Sequence, residues 1–220
     1  MEPRGVPPHP GRGRDRRPGR LQRTHPTPPS RIPCHQDPHR VRPHSLLGAR
    51  PTFDYLGSLE WIRAAENLCL IGPAGTGKSH LLLALGDAAV DAGHRVRYLP
   101  AAELVETLYR GLADNSVGRV IETILRADLI LIDEIGFAPL DPTGAQLFFR
   151  LVAGAYERRS LGIGSHWPFE DWGRFIPEHT TAVSLLDRLL HHAIVVATHG
   201  ESYRMKEARA TDPTATKKKA

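Results

Sequence analysis

The segment GPAGTGKSH, residues 72–80, has the residue types and the spacing of a phosphate-binding loop. It matches the pattern GxxxxGK[ST] in full, with Gly72, Gly77, Lys78 and Ser79 at the four fixed positions. Glycines let backbone N–H groups turn towards phosphate oxygens, and the N-terminus of a following helix adds positive potential. The sequence therefore predicts a nucleotide-binding loop. The alternative is a glycine-rich turn that binds nothing.

Each residue type in this loop has an expected task. Lys78 is expected to reach the β- and γ-phosphates of ATP, and the Ser79 hydroxyl to coordinate Mg²⁺. We expect the whole loop to contact ATP, namely Gly72, Pro73, Ala74, Gly75, Thr76, Gly77, Lys78, Ser79 and His80.

A second chemical motif is the acidic pair in DLILIDEIG, residues 128–136. Asp133 is placed to hold Mg²⁺, directly or through water. Glu134 follows at once and is placed to orient and polarise an attacking water. The alternative is a solvated strand end. A kinase of small metabolites usually lacks this glutamate, so the pair favours hydrolysis of ATP over phosphoryl transfer to a metabolite.

Strand-like and helix-like segments alternate around these motifs. Leu56, Leu59 and Ile62 lie at helical spacing, and Asp141 followed by Pro142 is a typical helix start. Alternation of this kind predicts an α/β fold, with a parallel sheet and helices on both sides. The predicted strands are 67–72, 94–100, 128–136, 160–167 and 193–200, and the predicted helices after the first are 78–92, 101–112, 115–126, 141–159 and 181–192.

Charge and proline are unevenly distributed over the 220 residues, whose net charge is +5. Residues 1–52 contain 12 of the 19 prolines and 11 arginines against three acidic residues, a net charge of +8, which leaves −3 for the rest. This composition predicts disorder in 1–52 and a flexible basic tail over 208–220, and the two motifs above place an ATPase domain in the remaining segment, 53–207. The sequence has no apolar run long enough to span a membrane and no signal-peptide pattern. With only two cysteines, Cys34 and Cys69, we expect free thiols and a cytoplasmic protein.

Seven segments, in their order and spacing, resemble one family. They are GPAGTGKSHLLLALG, YLPAAELVETL, DLILIDEIGFAPLD, YERRS, WPFEDWGRF, LLDRLLHHA and GESYRM. These segments, over about residues 55–207, resemble the IstB-like ATPases, AAA+ helper proteins of insertion-sequence transposition that are similar to DnaC helicase loaders. The resemblance implies a P-loop AAA+ domain with about five parallel strands. Because only some 20 residues follow the last predicted strand, we expect no separate lid domain.

The resemblance adds two residues to the expected site. His166 stands where the family usually has a polar Asn, and a histidine there can still hydrogen-bond a water or a γ-phosphate oxygen; the alternative is a surface histidine. Arg188 resembles the arginine finger that AAA+ proteins insert into a neighbour's site, where a guanidinium neutralises charge on the γ-phosphate. The alternative for Arg188 is an ion pair with Asp187 or Glu178.

Two further groups of side chains are interpreted as structural. His191 and His192 are adjacent on a predicted helix, so we expect their side chains to point apart and to form no metal site. Four aromatic residues, Trp167, Phe169, Trp172 and Phe175, are interpreted as packing, with a base-stacking platform as the alternative.

The leading functional hypothesis is an ATPase that assembles as a homo-oligomer on double-stranded DNA and activates a transposase of IstA type. The alternatives are a DnaC-like helicase loader and an inactive remnant of a transposition ATPase. The segment before residue 53 allows two interpretations, a basic arm that binds DNA phosphates or the product of a shifted reading frame.

Overall fold

A parallel β-sheet organises the chain in the computed structural model, which describes residues 46–47, 50–200 and 202. Five strands run parallel, and a two-residue strand pairs antiparallel with the last of them. The strands are β1 (Leu46–Leu47), β2 (Asn67–Ile71), β3 (Val96–Pro100), β4 (Leu129–Ile135), β5 (Ser160–Ser165) and β6 (Ala193–Thr198). Their order is β1-β6-β2-β5-β4-β3. The predicted five-stranded parallel sheet is confirmed.

Helices connect the parallel strands and cover both faces of the sheet. They are α1 (Arg50–Ser58), α2 (Glu60–Arg63), α3 (Lys78–Asp91), α4 (Ala101–Ala113), α5 (Val117–Ile124), α6 (Pro142–Ala155) and α7 (His179–Leu190), with a 3₁₀ helix at Phe169–Arg174. The predicted start of α6 is confirmed, because the Asp141 side chain accepts a hydrogen bond from the Gly144 backbone N–H at 2.8 Å.

The core has two halves, one on each face of the sheet, and alternate residues of β4 belong to different halves. Leu129 and Leu131 pack with residues of α1, α2 and α3. Ile130 and Ile132 pack with residues of α4, α5, α6 and α7. All four side chains are fully buried. A strand covered on both faces must be apolar throughout, which explains the continuous run LILI.

The strand register brings the carboxyl ends of the strands to one edge of the sheet. Ile71 lies beside Ser165 on one side and Ala197 on the other, and Pro100 lies beside Asp133. Loops that follow these residues therefore meet at this edge, which is where ligands bind in open α/β sheets.

The first helical segment differs from the single helix that its spacing suggests. The helix breaks at Leu59, which adopts a left-handed backbone conformation with φ 59° between α1 and α2. The indole N–H of Trp61 then donates to the Leu56 carbonyl at 3.1 Å. The break lets Leu56, Leu59, Trp61 and Ile62 all be buried, so packing overrides helical continuity at this point.

Two residues of β1 and the first three of α1 lie inside segment 1–52, for which the composition predicts disorder; these five residues belong to regular elements. The rest of that segment, and the tail 208–220, lie outside the described residues. The prediction of no separate lid also concerns residues beyond 202 and stays a prediction. Within the described part of the chain, no helix is long and apolar enough to cross a membrane.

Candidate nucleotide-binding site

The predicted phosphate loop joins the end of β2 to the start of α3. Gly72, with φ 146°, follows the last residue of β2, and Gly77, with φ 96°, immediately precedes α3. A Cβ at Gly72 would lie 2.1 Å from the backbone oxygen of Thr198. Glycine is therefore required at Gly72 both by the backbone conformation and by the close approach of β6.

The loop is held from β6 by a pair of threonine hydroxyls. The Thr76 and Thr198 hydroxyls lie 2.6 Å apart, and one of them donates to the other. The Pro73 carbonyl lies 2.8 Å from the Thr76 hydroxyl and the Ile71 carbonyl 3.2 Å from the Thr198 hydroxyl, so whichever hydroxyl accepts can donate to its own carbonyl. Both threonines are buried, so these bonds fix the shape of the loop. Thr198 is not among the residues predicted for the site. The signal that could have indicated it is its position at the end of the last predicted strand.

Lys78 points back into the loop. Its ammonium group donates to the carbonyls of Gly72 at 2.6 Å and Pro73 at 2.7 Å, and the residue is 8% exposed. Burial lowers the pKa of Lys78, and the negative charge of Asp133 partly opposes this shift. A cation thus lies inside the loop, within electrostatic reach of the carboxylate at the end of β4.

The other loop residues surround this cation. Pro73 and Ala74 are exposed, and Ser79 is half-buried in the first turn of α3. Next to it on α3, the Nε2 atom of His80 is buried and has no hydrogen-bond partner among the described residues. At Gly75, with φ 79°, a Cβ would lie 2.1 Å from the hydroxyl oxygen of Ser202, so the chain beyond β6 passes close to the loop.

Asp133 is buried near the end of β4, at 3% exposure, and its orientation is set by two donors. The Glu134 backbone N–H donates to Oδ1 at 2.9 Å, and the Tyr98 hydroxyl donates to Oδ2 at 3.2 Å. Burial, and then the charge of Asp133, raise the pKa of Tyr98, which keeps that hydroxyl a donor. On the opposite side, a Cβ at Gly164 would lie 2.3 Å from Oδ1, so β5 leaves room for the carboxylate only because Gly164 has no side chain. No local pattern in the sequence marks Tyr98 or Gly164 as a site residue.

Glu134 differs from Asp133 in exposure and backbone conformation. Its side chain is exposed, and its φ of 61° lies in the left-handed region, which is uncommon for a residue other than glycine. The pairing of β4 with β5 is irregular between Ile132 and Ile135. This irregularity lets two consecutive acidic side chains take different surroundings, with Asp133 buried and Glu134 facing solvent.

His166 directly follows β5 and is half-buried. Burial lowers its pKa, and so does the positive charge of Lys78. Glu134 and a hydrogen bond to the Gly136 backbone oppose this shift. His166 thus lies within electrostatic reach of both Lys78 and Glu134. The structure brings together four of the predicted residues, Lys78, Asp133, Glu134 and His166, at the carboxyl edge of the sheet.

Arg188 does not lie with these four residues. It is in the last turn of α7, just before β6, and Leu189 next to it accepts a hydrogen bond from Asn67 at the start of β2. The length of β2, roughly 13 Å for five residues, therefore separates this region from the phosphate loop. The guanidinium donates to the Ser184 carbonyl at 3.1 Å and lies 4.8 Å from the centre of the Phe149 ring.

The alternative interpretation of Arg188 is wrong, because this residue forms no ion pair with any carboxylate in residues 50–200. The packing interpretation of the aromatic group is confirmed. Trp172 and Phe175 are buried with ring centres 5.0 Å apart, and Trp167 and Phe169 pack against the same half of the core.

The fold and this site together define the class of the protein. Five parallel strands, a phosphate loop after β2 and an acidic pair near the end of β4 are the features of a P-loop nucleotide-binding domain of AAA+ type. The chain belongs to the family of IstB-like ATP-binding proteins, whose family pattern matches residues 47–211. The family resemblance predicted from the sequence is thus confirmed.

Two relatives of this chain are named for the insertion sequences to which they belong. One is a Pseudomonas aeruginosa protein whose name assigns it to insertion sequence IS21 and describes it as ATP-binding; it is 43% identical over 154 residues, 70% of this chain and 58% of the relative. A similarly named protein for insertion sequence IS5376 of Geobacillus stearothermophilus is 34% identical over 152 residues, 69% and 61% of the two chains. The chain thus spans about three fifths of the length of these relatives.

Solved structures share the fold at low sequence identity. AMPPCP-bound DnaA from Aquifex aeolicus aligns with a TM-score of 0.56 and 20% identity, covering 78% of this chain and 56% of that one. DnaI aligns with a TM-score of 0.56 and 14% identity, covering 70% and 84%. At these identities the likeness concerns the AAA+ fold alone.

Proposed function

We propose that this chain binds ATP with Mg²⁺, hydrolyses it and serves as a helper of DNA transposition. The observation that carries the proposal is the meeting of Lys78, Asp133, Glu134 and His166 at one edge of the sheet. Lys78 is electrostatically coupled to Asp133 and to His166, and Glu134 is coupled to His166. A cation on the phosphates, a carboxylate that can hold Mg²⁺ and a residue that positions the attacking water are the groups that P-loop domains use to hydrolyse ATP, and His166 adds a polar group beside them.

Lys78 and the loop bind the phosphates in this proposal. Two of the three donors of the ammonium group already bond to loop carbonyls, and the group can exchange these partners for phosphate oxygens without moving out of the loop. The glycines with positive φ and the start of α3 turn backbone N–H groups towards the same space. The other loop residues, including Thr76 and His80, shape the walls of this space.

The residues that would hold Mg²⁺ fit the preferences of that ion. Ser79 supplies a hydroxyl oxygen and Asp133 a carboxylate oxygen, and Mg²⁺ prefers oxygen ligands, of which proteins usually supply only one or two. When bound, Mg²⁺ neutralises negative charge on the phosphates. The Tyr98 hydroxyl and the Glu134 backbone N–H hold the Asp133 carboxylate in place for this ion.

Glu134 acts as the group that orients and polarises the attacking water. Its exposed side chain projects from the left-handed residue directly after Asp133, so it can reach a water that Asp133 cannot. His166 lies on the same edge and provides a polar contact to that water or to a γ-phosphate oxygen.

Arg188 acts on the site of a neighbouring copy. It lies far from its own phosphate loop and has no carboxylate partner in residues 50–200, so its charge is free to serve another chain. Its support on Phe149 and Ser184 holds the guanidinium at the end of α7. This role requires an assembly of several copies, which we propose forms on double-stranded DNA.

The partner proposal comes from the relatives. Their names place them in insertion sequences. By analogy, this chain binds double-stranded DNA and activates a transposase of IstA type in the cytoplasm. A helicase-loader role has less support, because the likeness to the DnaC helicase loader, at 15% identity, extends to the fold alone.

The test compares ATP hydrolysis by the wild-type chain, Glu134→Gln and Glu122→Gln. Glu122 is exposed on α5, remote from the site, so its variant controls for the loss of one negative charge. We expect turnover to fall about 10²–10⁴-fold in Glu134→Gln. Binding of a fluorescent ATP analogue should be retained in both variants. Undiminished turnover in Glu134→Gln would reject Glu134 as the catalytic group.

A further inference from the structure

Two histidines and one glutamate converge on the side of the molecule away from the phosphate loop. Glu157 follows α6, and His191 and His192 form the turn between α7 and β6. One possible ligand atom from each residue lies within 4.8 Å of the other two. His192 Nε2 is 4.0 Å from a carboxylate oxygen of Glu157, and the two imidazole centres are 4.1 Å apart.

The expectation that the two histidines point apart is wrong. It assumed a helix through residue 192, whereas α7 ends at Leu190. Adjacent side chains diverge on a helix, but His192 is already in the turn that leads into β6. The turn brings the two rings together and directs both towards Glu157.

We propose that Glu157, His191 and His192 bind a divalent transition-metal ion of the zinc type. Two imidazoles and a carboxylate are a ligand set that Zn²⁺ accepts, and three protein ligands leave a fourth position for water. Calcium and magnesium prefer sites made entirely of oxygen ligands, so the two nitrogen donors disfavour them. All three side chains are exposed, so the ion can reach them from solvent.

Tyr156 provides the supporting contact that metal-binding histidines commonly have. Its hydroxyl lies 2.9 Å from Nδ1 of His191, and the two rings are 5.8 Å apart. A hydrogen bond to one ring nitrogen orients the ring and fixes which nitrogen is free to bind a metal. Tyr156 is therefore a positioning residue of the proposed site.

Asn67 anchors the backbone beneath the histidines. Its N–H donates to the carbonyl of His192 at 2.7 Å, and its side-chain amide donates to the carbonyl of Leu189 at 2.9 Å. The Asn67 side-chain oxygen accepts from the N–H of Leu161 near the start of β5, four residues after Glu157. One buried residue thus ties together the two chain segments that carry the ligands.

Little movement separates the present arrangement from a binding geometry. Zinc bonds of about 2.0–2.2 Å in a tetrahedron place ligand atoms about 3.3–3.6 Å from one another. The three ligand atoms, now up to 4.8 Å apart, would have to approach one another by up to about 1.5 Å, which rotations of exposed side chains can supply. Arg188, one turn earlier on α7, donates to the Ser184 carbonyl and lies over the Phe149 ring.

The test is a calorimetric titration of the full chain with Zn²⁺, for wild type, His192→Ala and Glu157→Gln. Residues 1–52 contain five histidines and Cys34, which can bind zinc on their own, so the difference between variants is the quantity to measure. His179→Ala is the matched control, since His179 is an exposed histidine at the other end of α7. We expect His192→Ala and Glu157→Gln to bind one equivalent fewer than wild type and His179→Ala. Tyr156→Phe should keep the equivalent with an affinity about 10–100-fold lower.

Hydrogen exchange locates the bound ion independently. We expect Zn²⁺ to slow amide exchange in the turn between α7 and β6 for wild type and His179→Ala, and to leave it unchanged for His192→Ala. The same zinc stoichiometry in wild type, His192→Ala and Glu157→Gln would overturn the proposal. Zinc binding by the wild type without protection of this turn would also overturn it, because the ion would then lie elsewhere.

Discussion

The hydroxyl of Tyr98 donates a hydrogen bond to Oδ2 of Asp133 across two neighbouring strands, at 3.2 Å. The two residues are 35 positions apart in the sequence, and the parallel register of β3 and β4 brings them together. With the Glu134 N–H on the other oxygen, this bond fixes the carboxylate that we propose as the magnesium ligand.

Tyr98→Phe removes this donor and leaves the ring in place. We expect a loss of about 1 kcal/mol in the free energy of unfolding, since a partly buried hydrogen bond to a carboxylate disappears. The ATPase reaction should also need a higher Mg²⁺ concentration, because Asp133 is less well oriented. Chemical denaturation and a Mg²⁺ titration of phosphate release measure the two effects. The control is Tyr55→Phe, which removes a hydroxyl that donates to Glu66 at 3.0 Å. This variant should leave the Mg²⁺ dependence of turnover unchanged. An equal change of the Mg²⁺ dependence in both variants would contradict the role of Tyr98.

Gly164→Ala tests the space that β5 leaves for Asp133. The new methyl group would lie 2.3 Å from Oδ1 and 3.0 Å from a methyl carbon of Leu82, so the carboxylate must move. We expect a destabilisation of about 1–3 kcal/mol and a loss of Mg²⁺-dependent turnover. Gly118→Ala on α5 is the matched control, since nothing lies within 4 Å of its added Cβ. That variant should be neutral or more stable by up to about 1 kcal/mol; similar effects of both substitutions on turnover would argue against a crowded Asp133.

His166 should make the stability of the chain depend on pH. Burial and the charge of Lys78 lower its pKa in the folded state below the ordinary value, so the unfolded chain binds a proton more readily as pH falls. The contribution of His166 therefore lowers the free energy of unfolding as the pH falls below about 6.5. Lowering the pH from 8 to 5.5 should therefore reduce the free energy of unfolding more for wild type than for His166→Asn. Denaturation curves at the two pH values measure it, and a difference that is independent of pH would contradict the assignment.

Arg188→Ala and Glu134→Gln should complement each other if Arg188 acts on a neighbour. Each variant alone is expected to hydrolyse ATP poorly. In a mixture, a subunit with intact Glu134 can lie beside one with intact Arg188, and about a quarter of the random interfaces are complete. Turnover by the equimolar mixture should therefore exceed that of either variant. No gain on mixing, in samples shown by light scattering to contain mixed oligomers, would contradict action in trans.

Local patterns predicted the parts of this molecule that are set by near neighbours in the sequence. The glycine spacing of residues 72–77, the apolar run before Asp133 and the Asp141 cap all depend on residues a few positions apart. The structure confirms the elements around all three.

Contacts between residues far apart in the sequence cannot be predicted from such local patterns. Thr198 is 122 residues from Thr76, and their hydroxyl contact depends on β6 lying beside β2. The end of α7 depends on Asn67, which bonds to the carbonyls of Leu189 and His192. The sequence pattern within α7 does not reveal the bonds from Asn67. The predicted helix therefore extends to residue 192, past the observed end at Leu190, and predicts that the two histidine side chains diverge.

The most direct test of ATP hydrolysis at this site is phosphate release by the full chain, with and without duplex DNA, beside Lys78→Ala. We expect the wild type to turn over ATP faster with DNA, and Lys78→Ala to lose this turnover, because it lacks the cation inside the phosphate loop. A wild-type chain that binds ATP without hydrolysing it would contradict the proposed ATPase and favour an inactive remnant. Equal turnover in Lys78→Ala would place the hydrolysis elsewhere.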